Sequence, residues 1–206
     1  MNIIVIGGGA AGLMAAGTAA EQGANVTLFE TNEKVGRKLF ITGKGRCNVC
    51  NDCDAQEVLR NVPVNPRFLY SALGGFSPAD VKAFFEEKGV ALKTERGNRV
   101  FPVSDRAADI IDALFLWVKR TGVSIVHGTV SDVIIENGRV TGVRAGDDEI
   151  TAEVVILAEG TNSMLSERCL GHGRSGEPLA RAARRKGRDL PRADGTQSAQ
   201  RAADRL

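Results

Sequence analysis

Apolar positions come in short blocks separated by glycine and polar turns. Residues 2–6, Asn-Ile-Ile-Val-Ile, form a continuous β-branched run, the pattern of a strand covered on both faces in a parallel sheet. Gly7-Gly8-Gly9-Ala10-Ala11-Gly12 ends the run, and the alanine-rich residues 13–22 predict a helix closed by Gly23. Residues 25–30 predict a second strand. Strand, glycine turn, helix and strand in this order make a βαβ unit, for which a right-handed crossover is expected.

Further along, Ser77 before Pro78 predicts a capped helix running to about residue 88 and stopped by Gly89. Asp105 is the candidate cap of a helix over 106–120, with Ile110, Ile111, Leu114, Leu116, Trp117 and Val118 as its apolar side. Residues 123–126, 130–136, 140–144 and 149–151 read as strands, with Asn137-Gly138 as a hairpin turn, and together predict a small antiparallel meander. Residues 154–157 predict a buried strand returning to the parallel sheet. There is no internal repeat.

Composition changes the picture mainly at the C-terminal end. The 206 residues are 43% hydrophobic and 25% charged, suited to one globular domain plus a tail. From residue 171 onward there is no Val, Ile, Phe, Tyr, Trp or Met, and only three Leu. Such a segment has little apolar surface to offset the ~1–2 kcal/mol per residue of backbone ordering entropy. Residues 1–165 are therefore expected to form the domain and 166–206 a disordered basic tail. Residues 171–206 carry nine Lys/Arg against four Asp/Glu, leaving the remainder at −3, so the net charge of +2 is no argument for nucleic acid. No apolar run approaches the ~20 residues of a membrane span, and no basic region precedes the first apolar residues as in a secretory signal. A cytoplasmic location is expected, with neither a membrane nor a nucleic acid as partner.

Gly7-x-Gly9-x-x-Gly12 follows a predicted strand, opens a predicted helix and precedes an acidic residue, Glu30, at the end of the next strand. That context makes it a dinucleotide fingerprint. Gly7 permits the tight turn, Gly9 the approach of a pyrophosphate and Gly12 close helix–strand packing, while Glu30 accepts hydrogen bonds from an adenosine ribose. The fingerprint serves FAD and NAD alike.

Cys47, Cys50 and Cys53 have the spacing of the first part of a ferredoxin-type run, but no Cys-Pro follows and Cys169 is distant, so incidental thiols are the preferred reading. His127 and His172 are isolated, and no metal is expected.

Residues 36–48, Gly-Arg-Lys-Leu-Phe-Ile-Thr-Gly-Lys-Gly-Arg-Cys-Asn, resemble the signature of the BaiN/RdsA-like flavoproteins, also described as aminoacetone-oxidase-like. The resemblance continues through residues 65–73, Asn-Pro-Arg-Phe-Leu-Tyr-Ser-Ala-Leu, and 95–105, Glu-Arg-Gly-Asn-Arg-Val-Phe-Pro-Val-Ser-Asp, and covers about residues 1–157. It implies an α/β, Rossmann-like FAD-binding fold with a parallel sheet and a small antiparallel meander. It also implies noncovalent FAD, NAD(P)H as a possible electron donor and a small organic substrate. Carried over by position, Gly7, Gly9, Ala10, Ala11 and Gly12 hold the pyrophosphate and Glu30 the ribose. Arg37 and Lys38 lie along the phosphates and ribityl chain. Thr42, Gly43, Gly45, Arg46, Cys47 and Asn48 approach the flavin, and Val130 touches adenine through its backbone.

The resemblance breaks at residues 158–163, Ala-Glu-Gly-Thr-Asn-Ser, where the family usually continues Thr-Gly-Gly. This stretch is closer to the Asp-Gly-x-Asn-Ser motif of geranylgeranyl-reductase-type flavoproteins, and Gly160 keeps the part of a close-approach glycine. Beyond it nothing corresponds to a substrate domain, so the fold is expected to be incomplete. The Arg/Ala-rich end resembles a shifted reading frame or a truncated gene, with a basic arm as the alternative. The expectation is an FAD-dependent oxidoreductase, or its cofactor-binding half, with catalytic residues unassigned. A nonenzymatic dinucleotide-binding remnant and an NAD-only protein are the alternatives.

Overall fold

The first strand, β1 (Asn2–Ile6), is buried along both faces. Ile3 and Val5 point into the main core with Leu13, Ala16 and Leu28, while Ile4 and Ile6, alternating to the other side, are equally buried. The computed structural model describes residues 1–160 and Leu165. All elements below belong to one unit, Met1–Ser163. The proposed tail, residues 166–206, lies outside the described residues.

After the glycine loop comes α1 (Ala10–Glu21), which starts inside the fingerprint rather than after it, then β2 (Asn25–Glu30). Three short helices follow that the apolar pattern does not predict: α2 (Arg37–Ile41), α3 (Ala55–Arg60) and α4 (Tyr70–Gly75). A 3-10 turn, Thr42–Gly45, extends α2. The helix predicted from Ser77-Pro78 is α5 (Pro78–Glu87). Its capping box is complete: Ser77 accepts from the Asp80 N–H and the Asp80 carboxylate accepts from the Ser77 N–H. A hairpin that the pattern also misses, β3 (Leu92–Glu95) and β4 (Arg99–Pro102), turns through Gly97 and Asn98, both at positive φ.

In α6 (Ala107–Arg120) the structure corrects two details. Its N-cap is Arg106, not Asp105: Asp105 sits at φ 57° and gives its carboxylate to Lys93 and Arg46 instead. Leu116 is half exposed, because it follows Leu114 by two residues and so points away from the buried stripe of Ile110, Ala113, Leu114, Trp117 and Val118. The Trp117 ring lies on Gly17 of α1, where a Cβ would come within 2.4 Å of it. Its Nε1 donates to Glu21 Oε1 at 2.7 Å, and Phe84 meets the ring edge-on at 4.9 Å.

The last strands are β5 (Ser124–His127), β6 (Val130–Glu136), β7 (Arg139–Ala145), β8 (Asp148–Thr151) and β9 (Val154–Leu157). The first of these is not part of the meander, as the sequence suggested. It pairs parallel to β2, with Leu28 opposite Ile125. The reason is the preceding element: a strand delivered by a crossover helix enters a parallel pair, whereas hairpin-linked neighbours pair antiparallel. The parallel sheet has the order β5-β2-β1-β9, and β6-β7-β8 form a separate antiparallel sheet. Asn137 and Gly138 both take positive φ in the predicted hairpin turn. The returning strand lies where expected, with Ile3 opposite Val154 and Ile6 opposite Leu157. This is the Rossmann-like α/β arrangement that the resemblance implies.

Candidate functional site

Strand order reverses at β1: the chain leaves it through α1 towards β2 and later returns on its other side as β9. In open α/β sheets the crevice beyond the carboxyl ends of the strands at such a point accepts ligands. Here it is a groove of about 620 Å³, bounded by the glycine loop, the ends of β2 and β9, Gly128 after β5, and α2.

The three fingerprint glycines do three different things. Gly7 has φ 105°, and a Cβ there would lie 2.8 Å from the Ala158 carbonyl oxygen. At Gly12 a Cβ would lie 1.8 Å from the Gly7 carbonyl oxygen, so this glycine lets α1 close onto the loop. Gly9 has ordinary extended backbone (φ −77°, ψ −174°), and a Cβ there would meet nothing within 4 Å. Its missing side chain leaves space on the groove side rather than relieving the chain. Gly9 is also the N-cap of α1, with no side-chain cap and no acidic residue in the first turn. The first N–H groups of a helix have no acceptor within it, and with the helix dipole they favour an anion.

Glu30 ends β2 with both carboxylate oxygens engaged. Oε2 accepts from the Gly8 N–H at 2.7 Å; Oε1 accepts from the Asn32 N–H at 2.7 Å and from Asn32 Nδ2 at 2.6 Å. Arg37 Nη1 in turn donates to Asn32 Oδ1 at 2.9 Å. The start of α2 is tied to the loop by the Gly36 N–H, which donates to the Gly8 carbonyl at 2.8 Å, and Gly36 itself holds φ 73° against Ile111. Lys38 lies across the groove from Gly160, its Nζ 3.7 Å from where a Gly160 Cβ would be.

Of the residues singled out in the sequence, Gly7, Gly9, Ala10, Ala11, Glu30, Arg37, Lys38, Thr42 and Gly160 line the groove, and Gly12 packs beneath it. Gly43, Gly45, Arg46, Cys47, Asn48 and Val130 do not line it. The Arg46 guanidinium lies 4.0 Å over the Phe101 ring and donates to Glu95 at 2.9 Å and Asp105 at 3.1 Å. Lys93 completes this cluster on Asp105 at 2.7 Å. Cys47 is buried in the core with its thiol pushed up by desolvation. Asn48 turns its amide nitrogen to the carbonyls of Cys50 and Val100. Val130 is buried opposite Ala145. Sequence reasoning missed Asn32, Thr31, Ala158 and Glu159, which line the groove from the ends of β2 and β9. Asn two residues past a strand-end Glu is a turn signal that pointed to Asn32.

Burial pushes the Cys50 thiol up to about 11, and its Sγ faces the Pro78 carbonyl at 3.8 Å. Among the described residues no group of three His, Cys, Asp or Glu is placed to hold a metal ion, and no helix is long and apolar enough to cross a membrane. Cys169 and His172 lie outside the described residues.

A family model described as the HI0933-like protein Rossmann domain matches residues 1–186. The chain belongs to this family. The match runs beyond residue 157, where the motif resemblance stops, and includes part of the Arg/Ala-rich stretch. Among curated relatives, the 3-dehydro-bile acid delta(4,6)-reductase of Clostridium scindens is 34% identical over 185 residues, covering 88% of this chain and 44% of the relative. The probable electron transfer flavoprotein-quinone oxidoreductase YgcN of Escherichia coli is 32% identical over 182 residues, covering 88% and 40%. The ribosomal RNA dihydrouridine synthase of Haemophilus influenzae is 32% identical over 124 residues, covering 60% and 30%. The chain spans less than half the length of each of these relatives. Among solved structures, THI4 of Thermovibrio ammonificans superposes with a TM-score of 0.59 at 18% identity, covering 85% of this chain and 63% of that one, a likeness of fold alone.

Proposed function

We propose that this chain is the FAD-binding part of a flavin-dependent oxidoreductase. The observation that carries the reading is the set of groups gathered on one groove: a fixed carboxylate, an uncapped helix N-terminus over the open space at Gly9, two cations and a glycine. That set suits the adenosine, the pyrophosphate and the chain leading to a flavin. The groove's volume, about 620 Å³, lies within the ~300–1,000 Å³ typical of ligand clefts.

In this reading Glu30, anchored by the Gly8 and Asn32 N–H groups, turns its remaining acceptor capacity to the ribose hydroxyls. The N–H groups of Ala10, Ala11 and Gly12 hold the pyrophosphate, and Arg37 and Lys38 offset its charge. Leu39 and Ile41 add apolar surface to the groove. FAD, when bound, supplies the two-electron chemistry; position and electrostatics come from the chain. NAD(P)H as donor and a small organic molecule as substrate complete the proposal. The names of the relatives support a reductive reaction: one reduces a bile acid, and another is a probable flavoprotein-quinone oxidoreductase.

The test is a visible spectrum of the purified chain, followed by anaerobic addition of NADH or NADPH. A flavin spectrum that bleaches on addition is the expected result. Nicotinamide binding without any flavin colour, after incubation with excess FAD, overturns it.

A further inference from the structure

Asn32 stands between the two charged side chains on which the groove depends. Its backbone N–H and Nδ2 both donate to Glu30 Oε1, at 2.7 and 2.6 Å, and its Oδ1 accepts from Arg37 Nη1 at 2.9 Å. One neutral amide thus serves an anion and a cation at the same moment. We propose that Asn32 is a positioning residue that holds Glu30 and Arg37 apart, so that the carboxylate faces a ribose and the guanidinium a diphosphate. This rests on the groove being a site for an ADP-containing ligand.

The case follows from the inventory of hydrogen-bonding groups. A carboxylate has about four acceptor positions and a guanidinium five donors in a planar fork. When the two meet directly they pair two-to-two, and each uses up the edge it would offer a ligand. With Asn32 interposed, Glu30 spends its acceptors on three N–H donors and keeps an outward lone pair, while Arg37 spends one donor and keeps the rest. Only a side chain that both donates and accepts can fill this place. Aspartate accepts from Arg37 but cannot donate to Glu30, and leucine, of similar size, does neither.

Asn32 also follows a strand end, where Asn commonly serves a turn. Aspartate serves such turns equally well, so Asn32→Asp separates the two roles. It keeps the size, the turn preference and the acceptor for Arg37. It loses the side-chain donor and sets a second carboxylate within hydrogen-bond distance of Glu30. Two carboxylates so close share a proton, and one of them titrates above its ordinary range. The other charged groups lining the groove are Arg37 and Lys38 from α2 and Glu159 after β9, and His127 on β5 is the register partner of Glu30.

The experiment is calorimetric titration of the full chain with ADP and with FAD at pH 8 and pH 5.5, for the unsubstituted protein, Asn32→Asp, Asn32→Leu and Asn32→Gln, each with its thermal unfolding midpoint. Asn32→Asp is expected to bind ADP about tenfold more weakly at pH 8, the effect of one charge-assisted hydrogen bond, and to recover to within about threefold at pH 5.5, as ratios to the unsubstituted chain. Asn32→Leu is expected to lose about tenfold at both pH values, and Asn32→Gln, which keeps donor and acceptor, less than either. Recovery on acidification is a readout that partial unfolding does not produce. Binding by Asn32→Asp as tight as by the unsubstituted chain, or a loss equal at both pH values, overturns the inference and leaves the reading of the groove standing. Failure of the unsubstituted chain to bind either ligand overturns both.

Discussion

Gly9 and Gly12 belong to the same motif, yet the structure makes opposite predictions for them. In Gly12→Ala the new Cβ begins 1.8 Å from the Gly7 carbonyl oxygen, and ordinary contact starts near 3.4 Å, so α1 must move off the loop by about 1.6 Å. Neither side of that contact can yield as a side-chain tip would, since one is a carbonyl and the other a helix backbone. Overpacking of this kind costs ~1–3 kcal/mol or more. At ~2–4 °C per kcal/mol for a chain of this size, the midpoint should fall by about 2–12 °C. In Gly9→Val the Cβ meets nothing within 4 Å and the backbone is already extended. The expected cost is that of a poor N-cap, ~0.5–1 kcal/mol and so within about 4 °C. The valine methyls, however, fill the approach to the α1 N–H groups, and affinity for ADP should drop at least ~100-fold, close to 2.7 kcal/mol. Differential scanning calorimetry and ADP titration on both variants separate the two effects. Gly9→Val retaining its affinity, or unfolding as early as Gly12→Ala, would refute the reasoning.

Three further outcomes follow from packing and charge. Gly17→Ala, which in an exposed helix would gain ~1 kcal/mol, should instead lower the unfolding midpoint, because its Cβ would lie 2.4 Å from a Trp117 ring held by Glu21 and Phe84; a raised midpoint in a thermal melt refutes this. Asp52 beside Lys82, Glu95 beside Arg46 and Asp105 beside Lys93 are all held below the usual carboxylate range. Their contribution is complete well above the unfolded values of 3.8 to 4.5 and is lost as pH falls through these towards the lower folded ones, so acid titration of the midpoint should be flat to about pH 5.5 and steepen below about pH 4.5. The Cys50 thiol, at about 11 against an ordinary 9.0, should react with iodoacetamide at pH 8 about 100-fold more slowly than a free thiol, read by mass spectrometry of its peptide.

Most of the parallel sheet was legible because its strands are short, continuous and β-branched, and because glycines mark their ends. The capped α5 and the Asn137-Gly138 turn were legible for the same kind of reason: a local chemical requirement shows in the residue that meets it. The allegiance of β5 was not. Ile125 and Val126 suit a parallel or an antiparallel neighbour equally, and the choice is made by α6, which carries the chain back over the sheet. The short helices α2, α3 and α4 bury few or no residues completely, so they leave no apolar stripe to read.

The site divides along a similar line. Glycines with a steric duty and a strand-end carboxylate are visible one residue at a time, and all of them stand at the groove. The stretch from Gly43 to Asn48 looked equally committed, being dense in donors and glycines, yet the side chains of Arg46 and Asn48 are engaged away from the groove. Arg46 is shared among Phe101, Glu95 and Asp105, partners 49 to 59 residues away, and Asn48 faces Val100. A cation in a glycine-rich loop has the same sequence signature whether it faces a phosphate or a carboxylate. What distinguishes the two is the nearest anion in space, and for Arg46 the hairpin of β3 and β4 supplies one. Arg37, nine residues earlier, donates to the neutral Asn32 amide. That difference in pairing, rather than the density of basic residues, makes Arg37 a better candidate than Arg46 to meet a diphosphate.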